Sequence, residues 1–265
     1  MGKDLLTLHG HVEQMPARNA ETEDLLRVHT QEHVDDVRRA CASAEETNEV
    51  IAIDPDTKVS SASWEAAIGS AGTAIAAADA AVAGTVSTAF VATRPPGHHA
   101  TPDRAMGFCL FNNVAIVARW LQAAGHAERV LIVDWDVHHG NGTQDTFYED
   151  PSVFFLSLHQ SPHYPGSGAA TERGVGAGDG FTRNVPLPAG ISRSAYVERF
   201  SSELEQVVDL FEPNFVLISC GFDCMADDPL GDFLLEAEDL HLMTRRVVEA
   251  AEVSCEGRVV ALLEG

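Results

Sequence analysis

The chain has 265 residues, of which 45% are hydrophobic, and this length can build one large α/β domain or two small ones. Forty acidic residues against 17 basic residues give a net charge of −23, which argues against direct binding to nucleic acid phosphates. No window approaches the roughly 18 unbroken apolar residues of a membrane span, and residues 1–15 lack the pattern of a secretory signal. The five cysteines form no Cys-x-x-Cys pair, so we expect a cytoplasmic protein with free thiols and no membrane partner.

Lysine is rare in this acidic chain. Only Lys3 and Lys58 are lysines, and the other 15 of the 17 basic residues are arginine. An acidic, lysine-poor surface suits a halophilic cytoplasm, where carboxylates keep a protein hydrated in very high salt; an ordinary acidic composition is the alternative. At about 1 M salt the screening length is only about 3 Å, so long-range attraction of a cationic substrate would be weak.

Apolar runs and capping residues predict a series of helices and strands along the chain. Their alternation predicts one α/β domain with a parallel sheet flanked by helices, without internal repeats or linkers. The glycine-rich stretch 166–180 is predicted to be one loop on the side of the functional site. The predicted order is helix 21–41, helix 63–83, strand 88–93, helix 112–124, strand 129–134, helix 141–149, strand 152–158, strand 181–186, helix 193–211, strand 214–219, helix 236–252 and strand 257–263.

Polar side chains follow three of these strands at the point where each strand ends. In parallel α/β sheets, ligands bind beyond the carboxyl ends of the strands. Alternating strand geometry places the acids and the first histidine of the second motif on one side. A solvated acidic turn is the alternative for any one motif, but it does not explain their agreement. The motifs are Arg94-Pro-Pro-Gly-His98-His99, Asp134-Trp-Asp136-Val-His138-His139-Gly-Asn141 and Cys220-Gly-Phe-Asp223.

The residues at these strand ends can form a catalytic zinc site. Asp136, His138 and Asp223 provide three ligands, and three protein ligands with an open position are typical of catalytic zinc. Two carboxylates nearly neutralise the ion, so a separate base is needed, and His98 or His99 can provide it. One of the two histidines could instead be structural. The side-chain oxygens that can accept from an imidazole Nδ1–H and fix its tautomer belong to Asp134 and Asn141.

Together with Asp228-Pro-Leu-Gly231, the three motifs resemble the zinc-dependent histone deacetylase family over residues 21–265. The Pro-Pro before the histidines and the Gly-Asn-Gly turn resemble its class II branch and related amidohydrolases, including acetylpolyamine deacetylases. The resemblance implies the arginase/deacetylase-like parallel fold. It also implies Asp136, His138 and Asp223 as zinc ligands. His98 would pair with Asp134, and His99 with Asn141, which makes His99 the general acid–base group.

The resemblance also implies a substrate tunnel and bound potassium ions. Phe108 and Tyr164 would line the tunnel for the acyl amine, and the Gly107 carbonyl would face the substrate amide. A core position for Phe108 is the alternative. The residues implied for the inner potassium site are Asp134, Asp136, His138, Ser157 and Leu158, and those for the outer site are Phe147, Asp150 and Val153.

The implied reaction is hydrolysis of an acyl amide, with an acetylated lysine protein or a small acetylated amine such as a polyamine as substrate. An arginase-type ureohydrolase is a second reading, but it would need two manganese ions bridged by additional aspartates. A third reading is a binding module that holds an acyl amine without turning it over.

The sequence differs from the family pattern at both ends. The family's first strand is not recognised, and its oxyanion-donating tyrosine, which follows the last core strand, has no counterpart after Glu264-Gly265. The sequence therefore predicts an incomplete deacetylase-like domain over residues 1–265. Losing one oxyanion donor costs about 10²–10³ in turnover. This reading predicts a chain that binds zinc but deacetylates weakly or not at all.

Overall fold

A parallel six-stranded sheet forms the centre of the computed structural model, which describes residues 14–265; expectations about residues 1–13 lie outside this part. The helices are α1 (Thr22–Leu25), α2 (Gln31–Thr47), α3 (Ser63–Val82), α4 (Asn113–Ala123), α5 (Asn141–Phe147), α6 (Arg193–Phe211) and α7 (Ala237–Ser254). The strands are β1 (Ile51–Ala52), β2 (Lys58–Val59), β3 (Thr88–Val91), β4 (Val130–Asp134), β5 (Val153–Gln160), β6 (Thr182–Leu187), β7 (Phe215–Cys220) and β8 (Val259–Leu263).

The order of strands brings the predicted motifs together at one end of the sheet. The sheet runs β3-β8-β7-β4-β5-β6, and every neighbouring pair is parallel. The carboxyl ends of β3, β8, β7 and β4 therefore stand side by side. The residues that follow these strands are His98 and His99 after β3, Glu264 after β8, Asp223 after β7, and Asp136 and His138 after β4.

Helices cover both faces of the sheet, which makes it one α/β domain with two apolar layers. Alternate residues of β4 pack into opposite layers, because successive side chains of a strand point to opposite faces. Val130 and Ile132 pack with α3 and α4, whereas Leu131 and Val133 pack with α6 and α7. This burial on both faces explains why β4 reads as a continuous apolar run. None of the helices in residues 14–265 combines the length and apolar character needed to cross a bilayer.

Most predicted elements are present with bounds shifted by a few residues, and helix 193–211 matches α6. The prediction of one helix over residues 21–41 is wrong. Helix α1 ends at Leu25, and α2 begins after Thr30, whose hydroxyl oxygen accepts from the His33 N–H and caps the new helix. The antiparallel ladder β1–β2 was not predicted, because two residues per strand show no periodicity. The stretch 166–180 contains a short 3-10 helix, Gly176–Gly178.

Two buried histidines attach α2 and the turn before it to the segment that precedes α4. The Nδ1–H of His29 donates to the Thr101 carbonyl (3.0 Å), and its Nε2 accepts from the Asn112 N–H (2.8 Å). The Nε2–H of His33 donates to the Leu110 carbonyl (2.8 Å). Burial and the neighbouring His33 lower the pKa of His29 to about 3. His29 is therefore neutral in the folded protein.

We expect stability to fall as the pH drops below about 6.5, because unfolded His29 binds a proton there and the folded residue does not until about pH 3. Relative to pH 7.5, His29 alone should lower the free energy of unfolding at pH 5.0 by about 2 kcal/mol, because each pH unit below about 6.5 costs about 1.4 kcal/mol. Urea unfolding of wild type and His29→Gln at both pH values measures it, since glutamine keeps a donor and an acceptor but does not titrate. His241→Gln, at an exposed site on α7, is the control. Equal pH dependence in wild type and His29→Gln would contradict the assignment.

Candidate active site

Two adjacent histidines stand beyond β3, and each donates to a different buried side chain. The Nδ1–H of His98 donates to Asp134 Oδ2 at 2.9 Å, and that of His99 donates to Asn141 Oδ1 at 2.8 Å. Both pairs that the sequence predicts are thus present in the structure. Asn141 begins α5, and its Nδ2 donates to the His99 carbonyl at 3.3 Å. With Nδ2 used as a donor, Oδ1 can only accept, so Nδ1 of His99 carries a proton.

The two histidines have opposite protonation preferences although their rings are 4.0 Å apart. Burial alone lowers the pKa of His98, but the charges of Asp134 and Asp136 outweigh it and raise that pKa well above its usual value. Burial and the positive charge of His98 hold the pKa of His99 well below its usual value. His99 is therefore neutral, with Nε2 free to accept a proton, beside a cationic partner.

Three side chains converge next to the histidine pair. One ligand atom from each of Asp136, His138 and Asp223 lies within 4.8 Å of the others. The Nδ1 atom of His138 is 3.0 Å from Asp136 Oδ1 and 3.1 Å from Asp223 Oδ2. Both carboxylates are buried, and the imidazole is partly buried. Within residues 14–265, no other group of three or more His, Cys, Asp or Glu side chains converges in this way.

Backbone N–H groups fix the two carboxylates in this arrangement. The Val137 N–H donates to Asp223 Oδ1 (2.9 Å), and the Gly265 N–H donates to Asp136 Oδ2 (2.9 Å). Burial and the charge of Asp136 raise the pKa of Asp223 to about 6. Burial lowers the pKa of His138, but its bonds to the two carboxylates raise it to about 9. A proton on His138 thus occupies the position in which two oxygens and one nitrogen could hold a divalent cation.

Two aromatic side chains stand at the open side of this group. Phe108 is 55% exposed, so a core position for it is wrong. The ring of Tyr164 lies 5.1 Å from that of His99 and 6.0 Å from that of His138. Gly107 has φ +56°, and a Cβ there would lie 2.3 Å from the His99 ring, so only glycine allows this close approach. The Gly107 carbonyl accepts from the Cys109 S–H at 3.3 Å.

The residues assigned to potassium lie along β4, β5 and the end of α5. Asp134 and Ser157 are register partners in the β4–β5 ladder, and the Ser157 hydroxyl is 2.9 Å from His159 Nδ1. The Asp150 carboxylate accepts from Arg119 at 2.5 Å, and that guanidinium stacks on the Phe147 ring at 4.7 Å. Leu158 and Val153 are buried in β5, and Asp136 and His138 belong to the group of three converging side chains beyond β4.

Sequence reasoning missed three polar residues that support the site. The Asp56 carboxylate and the Thr57 hydroxyl accept from the N–H groups of Gly107 and Phe108, each at 3.0 Å. The β1–β2 turn that carries them has no pattern that indicates this contact. Glu264, by contrast, follows an apolar strand, and the rule that identified the other three strand ends would have found it.

The comparisons with known proteins place the chain in a family. The model of the histone deacetylase domain matches residues 3–265, and the chain belongs to the histone deacetylase family. A "Probable deacetylase" of Archaeoglobus fulgidus is 44% identical over 246 residues, which cover 93% of this chain and 67% of the relative. The "Histone deacetylase-like amidohydrolase" of Pseudomonas aeruginosa is 38% identical over 267 residues, covering 99% of this chain and 69% of the relative.

The fold agrees with this assignment. The crystal structure of the HDA15 HD domain superposes with a TM-score of 0.89 at 37% identity, covering 98% of this chain and 72% of that one. The chain thus spans roughly two thirds of the length of the two relatives above. The ureohydrolase reading required further aspartates for a second metal ion, and residues 14–265 contain a single cluster of three converging ligands.

We expect the apparent affinity of the site for a divalent cation to rise with pH, because the cation displaces the proton of His138, whose pKa is about 9. The rise should be about tenfold per pH unit between about pH 6.5 and 8.5, and steeper near the Asp223 pKa of about 6. Competition with a chromophoric chelator measures it.

Asp223→Asn should lower that affinity by at least about 100-fold at pH 7.5, because it removes a charged ligand. Asp227→Asn, at an exposed aspartate of the same loop, should leave it unchanged. Equal cation affinity in the two variants, or a cation affinity independent of pH, would contradict the assignment of the cation to this position.

Proposed function

We propose that the protein is a zinc-dependent amidohydrolase that removes acetyl or other acyl groups from the amine of acetyl-lysine or of a small acetylated amine. The observation that carries this proposal is the His98–His99 pair, hydrogen-bonded to Asp134 and Asn141 and standing next to three converging metal-ligand side chains. Family membership supports it, and relatives are named as a deacetylase and an amidohydrolase.

The donor set fits zinc. Two carboxylate oxygens and one imidazole nitrogen belong to the preferred ligands of Zn²⁺, and three protein ligands leave a position for water or substrate. In this proposal Asp136, His138 and Asp223 hold the ion. When bound, zinc supplies Lewis acidity that polarises an acyl carbonyl and makes water more acidic.

His99 performs the proton transfers in this mechanism. Its Nε2 takes a proton from the attacking water, whose oxygen bonds to the acyl carbon, and Asn141 keeps the other ring nitrogen protonated. The C–N bond then breaks, and the same proton passes from Nε2 to the leaving nitrogen. Acetate and a free amine result. His98, paired with Asp134, contributes positive charge beside His99, which favours the neutral form of the base.

Phe108 and Tyr164 line the passage through which the acyl amine enters. An apolar passage suits the methylene chain of lysine or of a polyamine, because this chain loses contact with water on binding. Burial and the carboxylate of Asp56 raise the pKa of Tyr164, so its hydroxyl remains a hydrogen-bond donor at the rim. The surrounding loops would decide between a protein and a small-molecule substrate.

Structural potassium is part of the same proposal. The inner ion would use Asp134, Asp136, His138, Ser157 and Leu158, and the outer ion would use Phe147, Asp150 and Val153. The support is local: Asp134 is buried and accepts only one imidazole N–H and one backbone N–H. This leaves lone pairs that a cation could satisfy.

An acetate-release assay on the zinc-loaded chain, with an acetyl-lysine peptide and an N-acetylated diamine, tests the function. We expect His99→Ala to lower kcat by about 10²–10⁴ at unchanged zinc content, because general acid–base catalysis contributes that factor. His241→Ala, at an exposed site on α7, is the control and should keep the wild-type rate.

The same assay separates the proposal from a silent binding module. Zinc and acyl amine bound without release of acetate would support the binding module. Acetate release that survives His99→Ala would contradict the assigned base, and zinc-independent release would contradict the proposed cofactor.

Phe108→Ala should raise KM for the peptide about tenfold with a smaller effect on kcat, because it removes apolar contact with the substrate chain but no reacting group. Phe90→Ala is a matched control, since Phe90 is 53% exposed and lies on the edge strand β3. If both variants changed KM equally, Phe108 would not line the entrance.

A further inference from the structure

Glu264 is a buried acid that the mechanism above does not use. It directly follows β8, which lies between β3 and β7 in the sheet, and is only 6% exposed. A buried carboxylate is costly unless its oxygens are hydrogen-bonded. The contacts of Glu264 therefore indicate what it stabilises.

Both Glu264 oxygens have partners on the neighbouring strands. Its Oε2 accepts from two consecutive backbone groups beyond β3, the N–H of Gly97 at 2.6 Å and the N–H of His98 at 3.1 Å. Its Oε1 accepts from the Ser219 hydroxyl of β7 at 3.0 Å. The carboxylate thus connects the turn at Gly97–His98, where the histidine pair begins, to strand β7 in the middle of the sheet.

The opposite side of this turn is attached to α5. The His98 carbonyl accepts from the N–H groups of Gly142 and Thr143 at 3.0 and 3.2 Å. The peptide groups on both sides of the His98 α-carbon are therefore held, one by Glu264 and one by the start of α5. Since backbone direction sets where a side chain points, these bonds aim His98 and His99 at their partners.

We propose that Glu264 is a positioning residue for the histidine pair: its side chain holds the Gly97–His98 backbone so that both imidazoles keep their hydrogen bonds to Asp134 and Asn141. This inference rests on the proposed function for its catalytic consequence. The required property is the reach of the hydrogen-bonding oxygen, and the negative charge is not required.

Two variants separate reach from charge. Glu264→Gln keeps the length and loses the charge: its amide oxygen can accept from Gly97 and His98, while its NH₂ donates to the Ser219 hydroxyl oxygen. Glu264→Asp keeps the charge but is one methylene shorter, about 1.5 Å, so it cannot reach the two N–H groups without movement of the turn.

The chain offers a matched control in Glu203 of α6, which is also 6% exposed and pairs with Arg183 and Arg199. Glu203→Asp shortens a buried glutamate away from the histidine pair. It reports the effect of lost packing and pairing on stability alone.

The first readout is the two-bond ¹H–¹⁵N spectrum of histidine-labelled, zinc-loaded protein, recorded without substrate. We expect the Nδ1 signals of His98 and His99 to keep the range of a protonated, hydrogen-bonded nitrogen in Glu264→Gln and in Glu203→Asp, and to leave that range or broaden in Glu264→Asp. In the acetate-release assay, Glu264→Asp should lower kcat about 10- to 100-fold with KM nearly unchanged, because small misplacement of a catalytic group has effects of this size. Glu264→Gln should stay within about threefold of wild type.

Unchanged imidazole signals and kcat in folded Glu264→Asp would overturn the proposal, and so would a Glu264→Gln variant that loses both. If Glu264→Asp does not fold, Glu264→Gln alone tests the proposal, and loss of the hydrogen-bonded Nδ1 signals of His98 and His99 in that variant would overturn it. The proposed function fails separately, when wild type binds zinc but releases no acetate. In that case the spectra still test the positioning role.

Discussion

Negative charge buried at the carboxyl ends of the strands constrains the rest of this structure. Asp134, Asp136, Asp223 and Glu264 follow or end three adjacent strands, and each is almost inaccessible to solvent. Carboxylates in such proximity cannot all stay ionised unless cations face them. Among the described residues the facing cations are imidazoles, and their protonation follows from the acids. The raised pKa of His98 and that of His138, together with the raised pKa values of Asp134, Asp223 and Glu264, have this one origin.

The same constraint explains why two adjacent histidines differ. His98 faces Asp134 and is cationic, whereas His99 faces the neutral amide of Asn141 and has a charged neighbour. The single difference between a carboxylate and an amide partner therefore separates the roles of two identical side chains. A sequence that placed an acid at position 141 would favour protonation of both rings and remove the lone pair that the proposed mechanism uses.

Much of this arrangement could be predicted from the sequence, because it depends on strand ends. Buried parallel strands are apolar runs, so β4 and β7 are visible, and the polar residues that follow them must meet at one edge. Chemistry identified Asp134 and Asn141 as possible acceptors for an imidazole N–H, and the resemblance to the family assigned each of them to its histidine. The break between α1 and α2 was not predicted, because the cap Thr30 lies inside an otherwise helical pattern. The contacts of Asp56 and Thr57 depend on the β1–β2 turn, which has no periodic signal and is positioned by tertiary packing alone.

The supports of the site also hold the fold together, so stability and geometry are coupled. The segment that carries Gly107 and Phe108 is held on one side by the β1–β2 turn and on the other by neutral His29 and His33. The turn of the histidine pair is held by Glu264 and by the start of α5. Each support is a buried polar contact that stabilises the protein only while its partner is in place, because a buried group left unpaired costs about 1–3 kcal/mol. Loss of one support would therefore lower stability and displace a site residue together, and matched pairs of variants are needed to separate these two effects.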